Sequence, residues 1–276
     1  MTRPTRLKIA LYAGVAAVSL TTCVAWKQPA TFSVVAVAER VEIDLDYLNQ
    51  PEWFVRQAVL ADSVAPRRRY TGSIRWGEDV TLAVTRISLG DLMVVAKSNK
   101  TTPVAWFADS AGSFQPVHHW VMLLIDSVPE MSERGLAAVF PIVGKIGMPS
   151  HNSLQLAQRP GVREGSLRII ANAILRRERV PYLADNIELE SGSYLQLVKP
   201  TGTAYGTIMV DERPGMTVVY RARASGAMLA GTGGLGYTAR LRLYSVLTRD
   251  PTILFLALIF SIVVAVLSLF PESKGT

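Results

Sequence analysis

Arg40-Val41-Glu42-Ile43-Asp44-Leu45-Asp46, RVEIDLD, alternates apolar and charged residues without a break. Successive side chains of a strand point to opposite faces, so Val41, Ile43 and Leu45 share one face and the carboxylates share the other. Upstream, Thr31 to Ala38 (TFSVVAVA) is rich in β-branched residues and leads directly into this segment. The same habit recurs outward from it. Tyr70 to Trp76 and Val80 to Ile87 read as strands separated by Gly77-Glu78-Asp79, a hairpin in which glycine supplies the turn conformation. Ser88-Leu89-Gly90-Asp91 repeats the device before Leu92 to Lys97.

A second run with the same character begins at Gly165. Gly165 to Ile170, Ile187 to Leu197, Thr207 to Val210 and Met216 to Ala222 all alternate. Their separators, Gly192, Pro200-Thr201-Gly202 and Arg213-Pro214-Gly215, suit the turns of a meander. Between the runs, Val121 to Ile125 is a short apolar strand candidate. Leu136 to Ile146 (LAAVFPIVGKI) is too short to span a bilayer and reads as a buried loop-helix or an interface element. Glu52 to Leu60 has helical spacing at Trp53, Phe54 and Leu60 and predicts one short helix. Short strands with frequent glycine turns predict an all-β domain, a sandwich or a barrel, built as one β module or two.

The ends differ from this middle. Ile9 to Trp26 contains no charge and follows Arg3, Arg6 and Lys8; at 1.5 Å per residue it covers roughly 27 Å, close to a hydrocarbon core. Thr252 to Phe270 (TILFLALIFSIVVAVLSLF) is uncharged and almost continuously aliphatic or aromatic, bounded by Asp250-Pro251 and Pro271. The reading that follows is a two-pass protein of the bacterial inner (plasma) membrane. Residues 1–8 form a cytoplasmic N-terminus and residues 9–26 a signal-anchor helix. A first β module (27–115), a mixed apolar connection (116–164) and a second β module (165–250) form a periplasmic, extracytoplasmic domain. A second transmembrane helix (252–270) and a cytoplasmic tail (271–276) complete the chain. Arg240, Arg242 and Arg249 before the second span oppose this orientation by local charge, but long loops translocate largely regardless of charge.

The lone cysteine, Cys23, excludes an intramolecular disulfide and lies within the first apolar run. Leu20-Thr21-Thr22-Cys23 resembles a bacterial lipobox, which would imply lipidation of Cys23. Thr22 departs from the small residue expected before the cysteine, and the run stays apolar through Trp26. An uncleaved anchor with a membrane-embedded thiol is the preferred reading.

Motifs for chemistry are sparse. No HExxH, GxSxG, CxxC or P-loop spacing occurs, and no cofactor or metal is expected. The three histidines are His118, His119 and His151. Adjacent His118 and His119 on a strand would face opposite ways, although His119 could still meet Asp126 or His151 in space. Ser150-His151-Asn152-Ser153 could supply a periplasmic hydrolase with Asp126 or Asp185, with nothing in the spacing to favour it. Ala230 to Tyr237 is glycine-rich like a nucleotide loop, but the alternating Thr238 to Tyr244 after it reads as a strand rather than the helix such a loop requires.

Arginine clusters carry the remaining signal: Arg67 to Arg69, Arg176-Arg177-Glu178-Arg179, Arg221 with Arg223, and Arg240 with Arg242. If the last two pairs sit on neighbouring strands, they form a basic stripe for anionic lipid or acidic glycan. Against this, the net charge of +7 is dispersed. Setting aside Arg3, Arg6, Lys8, Lys274 and Glu272 leaves 25 basic against 21 acidic residues between the spans, which equally suits a solvated face. Nucleic acid is a poor partner for an extracytoplasmic domain. The function expected is a non-catalytic scaffold or binding component of an envelope export or assembly complex. Its partners would be the lipid bilayer and other membrane or periplasmic proteins, or a homo-oligomer.

Overall fold

A computed structural model describes residues 12, 14–20, 23, 29–45, 52–63, 67–87, 91–108, 112–126, 138–148, 161–173, 181–210, 214–231 and 236–269. The described chain is mostly antiparallel β, as the alternation predicts, and divides into two units. The larger holds Thr31–Leu167 with Ile187–Ala239; the smaller holds Met1–Ala30, Arg168–Asn186 and Arg240–Thr276.

In the larger unit one sheet runs β10 (Ala138–Val143), β15 (Thr201–Val210), β16 (Met216–Ala224), β1 (Ala30–Ala38) and β12 (Val162–Asn172). The second begins β18 (Gly236–Ala239), β17 (Gly226–Ala230), β14 (Tyr194–Val198), β11 (Lys145–Met148), β2 (Arg40–Leu45) and β5 (Val80–Arg86). It continues through β6 (Asp91–Lys97), β9 (Trp120–Asp126), β3 (Trp53–Asp62), β4 (Arg68–Trp76), β7 (Ala105–Ala108) and β8 (Phe114–Val117).

Four chain segments serve both sheets. β1 passes into β2 through Glu39, β10 into β11 through Gly144, β14 into β15 through Lys199-Pro200, and β16 into β17 through Ser225. Such bends make the corners of orthogonally packed sheets. The β1–β2 segment borders β16 with its first part and β11 with its second, so the four bent segments close on themselves as a barrel does. Strands from the early and late parts of the chain therefore alternate within one hydrogen-bonded system.

The bends at Glu39, Gly144 and Ser225 keep backbone groups paired. Glu39 N–H donates to Gly161 O at 3.1 Å and its carbonyl accepts from Arg86 N–H at 2.9 Å. Gly144 N–H donates to Ala204 O at 3.2 Å, and Ser225 N–H to Val198 O at 3.1 Å. The Tyr220 hydroxyl, wholly buried, donates to Gly144 O at 2.6 Å. Gly144 has φ +151°, and a Cβ there would run into the Asp44 carbonyl of β2. The interior is filled by alternate residues: Phe32 and Val34 from β1, Ile43 and Leu45 from β2, Ile142 from β10 and Met148 from β11. Full burial of each such side chain is worth about 1.5–3 kcal/mol. Trp53 of β3 joins this interior, with its ring 4.8 Å from Phe140 and 5.2 Å from Trp76, and its indole N–H donates to Pro141 O at 2.8 Å.

Several sequence expectations are corrected. Residues 53–62 are strand β3 rather than a helix. The cause is a bulge between Val55 and Ala58, where Gln57 takes φ 51° and its N–H reaches Thr71 Oγ1; the extra residue resets the alternation and imitates helical spacing. Gly77-Glu78-Asp79 joins β4 to β5, but these strands do not pair: β4 lies between β3 and β7, and β5 between β2 and β6. Gly77 N–H instead donates to Val104 O and Asp79 N–H to Leu45 O, both at 2.8 Å, which ties the connection to other strands. Of the meander expected in the second run, β15 pairs with β16 and β12 lies beside β13 (Pro181–Leu189), but β13 and β14 lie in different sheets, as do β14 and β15. The Leu136 to Ile146 element is, over its described residues, β10 and the start of β11.

In the smaller unit the end of β12 lies beside β13, and two helices follow: α1 (Leu243–Arg249) and α2 (Pro251–Leu269). Residues 14–20 are also helical. Thr238 to Tyr244 is not a single strand, because β18 stops at Ala239 and α1 begins at Leu243. Asp250 caps α2, its Oδ1 accepting from Thr252 N–H at 2.8 Å and Ile253 N–H at 3.4 Å, with Pro251 in the first turn where its missing N–H costs nothing. Among the described residues no single helix is long and apolar enough to cross a membrane. Leu243–Arg249 with Pro251–Val266, bent by 60°, has the length and composition as a pair.

The Gly144 bend gives a direct test of this architecture. Tyr220→Phe leaves a buried carbonyl without its donor and should lower unfolding stability by about 1–3 kcal/mol. Gly144→Ala should cost at least as much, whereas Gly231→Ala, with open space around it, should stay within about 0.5 kcal/mol. Denaturant unfolding followed by circular dichroism measures all three.

Candidate functional site

The arginine pairs singled out from the sequence do not lie on the neighbouring strands that a stripe was expected to need. Arg221 and Arg223 sit on one exposed face of β16, where Arg221 pairs across the sheet with Tyr205 and Arg223 with Thr201. Arg240 falls just beyond β18, a strand of the other sheet whose described neighbour is β17. Arg242 is the N-cap position of α1, with φ −82° and ψ 138°, and makes no side-chain cap bond. The two pairs are therefore not on neighbouring strands. Arg242 faces Asp185 of β13 at 3.7 Å. Arg68 is held to the buried Asp62 at 3.0 Å, while Arg67 and Arg69 are exposed. Arg176, Arg177 and Arg179 lie outside the described residues.

The histidine alternatives fare differently. His118 and His119 occupy the connection between β8 and β9 rather than a strand; His119 takes φ 68°, and the two rings are 6.4 Å apart. His118 Nδ1 lies 3.2 Å from Thr101 O. Asp126 is at the far end of β9 from His119, opposite Asp91 of β6, so His119 and Asp126 are not brought together. His151 and its flanking serines lie outside the described residues. Among the described residues no three His, Cys, Asp or Glu side chains gather as a metal-holding group. Cys23 is helical and exposed.

The charged groups that are brought together hold the fold. Glu39, buried at its bend, pairs with Arg163 of β12. Arg40 pairs with Glu42 at 2.6 Å along β2, and Lys100 with Asp79 beside the β4–β5 connection. The Glu39–Arg163 and Asp79–Lys100 pairs had no signal in the sequence, because their partners are distant along the chain and share no motif, whereas Arg40 and Glu42 fall two residues apart on one face of β2.

The outer face of the β10-β15-β16 sheet carries a different feature. Val139, Met209 and Thr217 line up across the three strands, then Pro141, Thr207 and Val219, then Val143, Tyr205 and Arg221. Val139 is 54% exposed and Tyr205 is 55% exposed, and the other apolar members of the ladder are half-buried. This is an apolar-rich ladder with Arg221 and Arg223 at its border.

In the smaller unit, α2 presents large apolar residues on nearly every side. Leu254, Phe255, Leu258, Ile259, Ile262, Val263 and Val266 are 42–60% exposed. The half-buried positions Leu256, Phe260 and Val264 fall at spacings of four, one narrow stripe. The Phe260 ring packs directly on Gly14 of the N-terminal helical residues, where a Cβ would overlap it. Arg249 Nη1 donates to Ala184 O at 2.9 Å and Leu183 O at 3.4 Å, fastening the end of α1 to β13. Tyr182 of β13 lies by the wholly buried Asp250; burial first, and the Asp250 carboxylate second, push its phenol well above the ordinary tyrosine value of 10.0. No family model matches the chain, and no curated protein or solved structure matches it significantly.

The Tyr182 phenol has a raised value in the folded state, so its contribution to stability is complete below pH 10 and declines as pH rises past that point, where the unfolded phenol ionises first. Tyr182→Phe should flatten part of the alkaline fall in unfolding stability. Ultraviolet titration should show the phenolate lost in that variant to be one that forms above the range of the exposed tyrosines.

Proposed function

We propose that this chain is a two-pass protein of the bacterial inner membrane whose all-β part, on the extracytoplasmic side, is a non-catalytic scaffold or binding component of an envelope complex. The observation that carries the membrane assignment is the exposure of α2. Seven large apolar side chains left half in water would cost on the order of 5–10 kcal/mol by area scaling, and a hydrocarbon surround removes that cost. A helix apolar on all sides belongs in a core or a bilayer. Close packing of Phe260 on Gly14 supports two helices side by side, since small residues let membrane helices approach. The apolar run continues in sequence to Phe270, and Arg3, Arg6 and Lys8 favour a cytoplasmic N-terminus.

The scaffold assignment is supported by how the larger unit uses its surface. Glu39, Arg163, Asp62 and Arg68 are spent on structural pairs, while the Val139 to Tyr205 ladder is left apolar and open, suited to a membrane-protein partner or a second copy. A second reading, recognition of an anionic lipid or acidic glycan, is favoured by Arg221 and Arg223 sharing one exposed face of β16; Arg240 and Arg242 are not on that strand.

Reporter fusions after residue 100 and after residue 276 test the topology. The first should be active on the trans side and the second on the cytoplasmic side; a trans-active reporter at Thr276 would overturn the two-pass arrangement. A photo-crosslinking residue in place of Tyr205 should capture a membrane protein or a second copy in intact membranes, and its failure to do so would remove the sheet face as the contact. Charge reversal at Arg221 and Arg223 that leaves binding to acidic vesicles and glycans unchanged would remove the second reading.

A further inference from the structure

We infer that the segment from Arg240 to Arg249 lies in the membrane–water interface as an amphipathic platform, with Arg240 and Arg242 binding anionic phospholipid headgroups. This rests on the reading of α2 as a membrane helix. The two helices are joined through Asp250 alone and bent by 60°, so an upright α2 tips the axis of α1 toward the membrane plane.

The exposed side of α1 has the composition an interface selects. Leu243, Tyr244 and Leu247 stand at positions i, i+1 and i+4, which share one helix face, while Ser245 and Val246 are buried on the other. Tyr244 is 74% exposed, and its ring has an apolar body with a polar tip, the character enriched at headgroup level. Leu183 of β13 adds another exposed apolar residue, kept beside the end of α1 by the bonds from Arg249 to the Leu183 and Ala184 carbonyls.

Arg240 and Arg242 are both exposed immediately before α1. The Arg242 contact with Asp185, at 3.7 Å on an exposed side chain, is of the kind that contributes little and yields readily to another anion. Asp250 is wholly buried and engaged in capping α2, so it offers little repulsion to an acidic surface. Guanidinium groups suit phosphate through paired donors, and a basic segment directly beside a membrane helix is drawn to anionic lipid. Continuity with the apolar α2 and this charge favour lipid over a protein as the occupant.

Full-length protein carrying Cys23→Ser, with single cysteines at Tyr244, Leu247, Phe255, Ile259 or Glu190, is spin-labelled and placed in phosphatidylcholine vesicles with or without phosphatidylglycerol. Collisions with oxygen and with a water-soluble nickel chelate report depth. Labels at 255 and 259 should be shielded from nickel, labels at 244 and 247 should sit at shallow depth, and the label at 190 should be open to water. Adding R240Q and R242Q should raise nickel access at 244 and 247 several-fold in the acidic vesicles, while leaving 255 and 259 unchanged. R240K with R242K should preserve shielding. Nickel access at 244 and 247 equal to that at 190, with 259 still shielded, would overturn this inference alone. Nickel access at 259 would overturn the membrane reading beneath it. Shielding at 244 and 247 that persists in detergent would mean that protein, not lipid, covers the face, and would also overturn it.

Discussion

The larger unit depends on one constraint: four extended segments must turn from one sheet into the other without leaving backbone groups unpaired. Gly144 shows how this is met. Its N–H is taken by Ala204, its carbonyl by the buried Tyr220 hydroxyl, and its missing side chain lets β11 approach β2. A buried polar group with no partner costs far more than a made hydrogen bond returns, so these bends are possible only where a donor or acceptor from another strand arrives. Because β1–β2 joins different neighbours before and after Glu39, the bends also close a ring of strands.

The electrostatics follow from the same corner. Glu39 is held at a bend and needs a cation there, which Arg163 supplies from a strand distant in sequence. Asp62 is likewise held by Arg68, while the outer side of β10, β15 and β16 keeps an apolar-rich ladder bordered by Arg221 and Arg223. The smaller unit has a different logic: α2 is capped by Asp250, rests on Gly14 through Phe260 and leaves most of its circumference apolar and exposed.

Some of this was legible in the sequence. Strict alternation at RVEIDLD placed Val41, Ile43 and Leu45 on a buried face, and Asp250-Pro251 marked the start of the apolar C-terminal helix. The helix proposed for Glu52 to Leu60 failed because a bulge at Gln57 shifts the phase of burial by one residue, which a single sequence cannot distinguish from a helical period. The basic stripe failed because alternation from Thr238 onward says nothing about where a strand stops, and β18 ends at Ala239 before Arg240 and Arg242. The Glu39–Arg163 pair, the Tyr220–Gly144 bond and the Tyr182–Asp250 contact had no local signature at all.

Residue order by itself marked strands such as β2, β5 and β16 and the apolar ends, because side-chain alternation and hydrophobic runs are set by neighbours a few positions apart. Which strands became partners was decided only by the tertiary structure. A turn such as Gly77-Glu78-Asp79 permits a hairpin, but Val104 and Leu45 offer its N–H groups partners on other strands, and Glu39, Gly144 and Ser225 carry the chain across a corner that no local pattern encodes. Pairing is a contest among all the strands for the same donors and acceptors, so its outcome belongs to the whole chain.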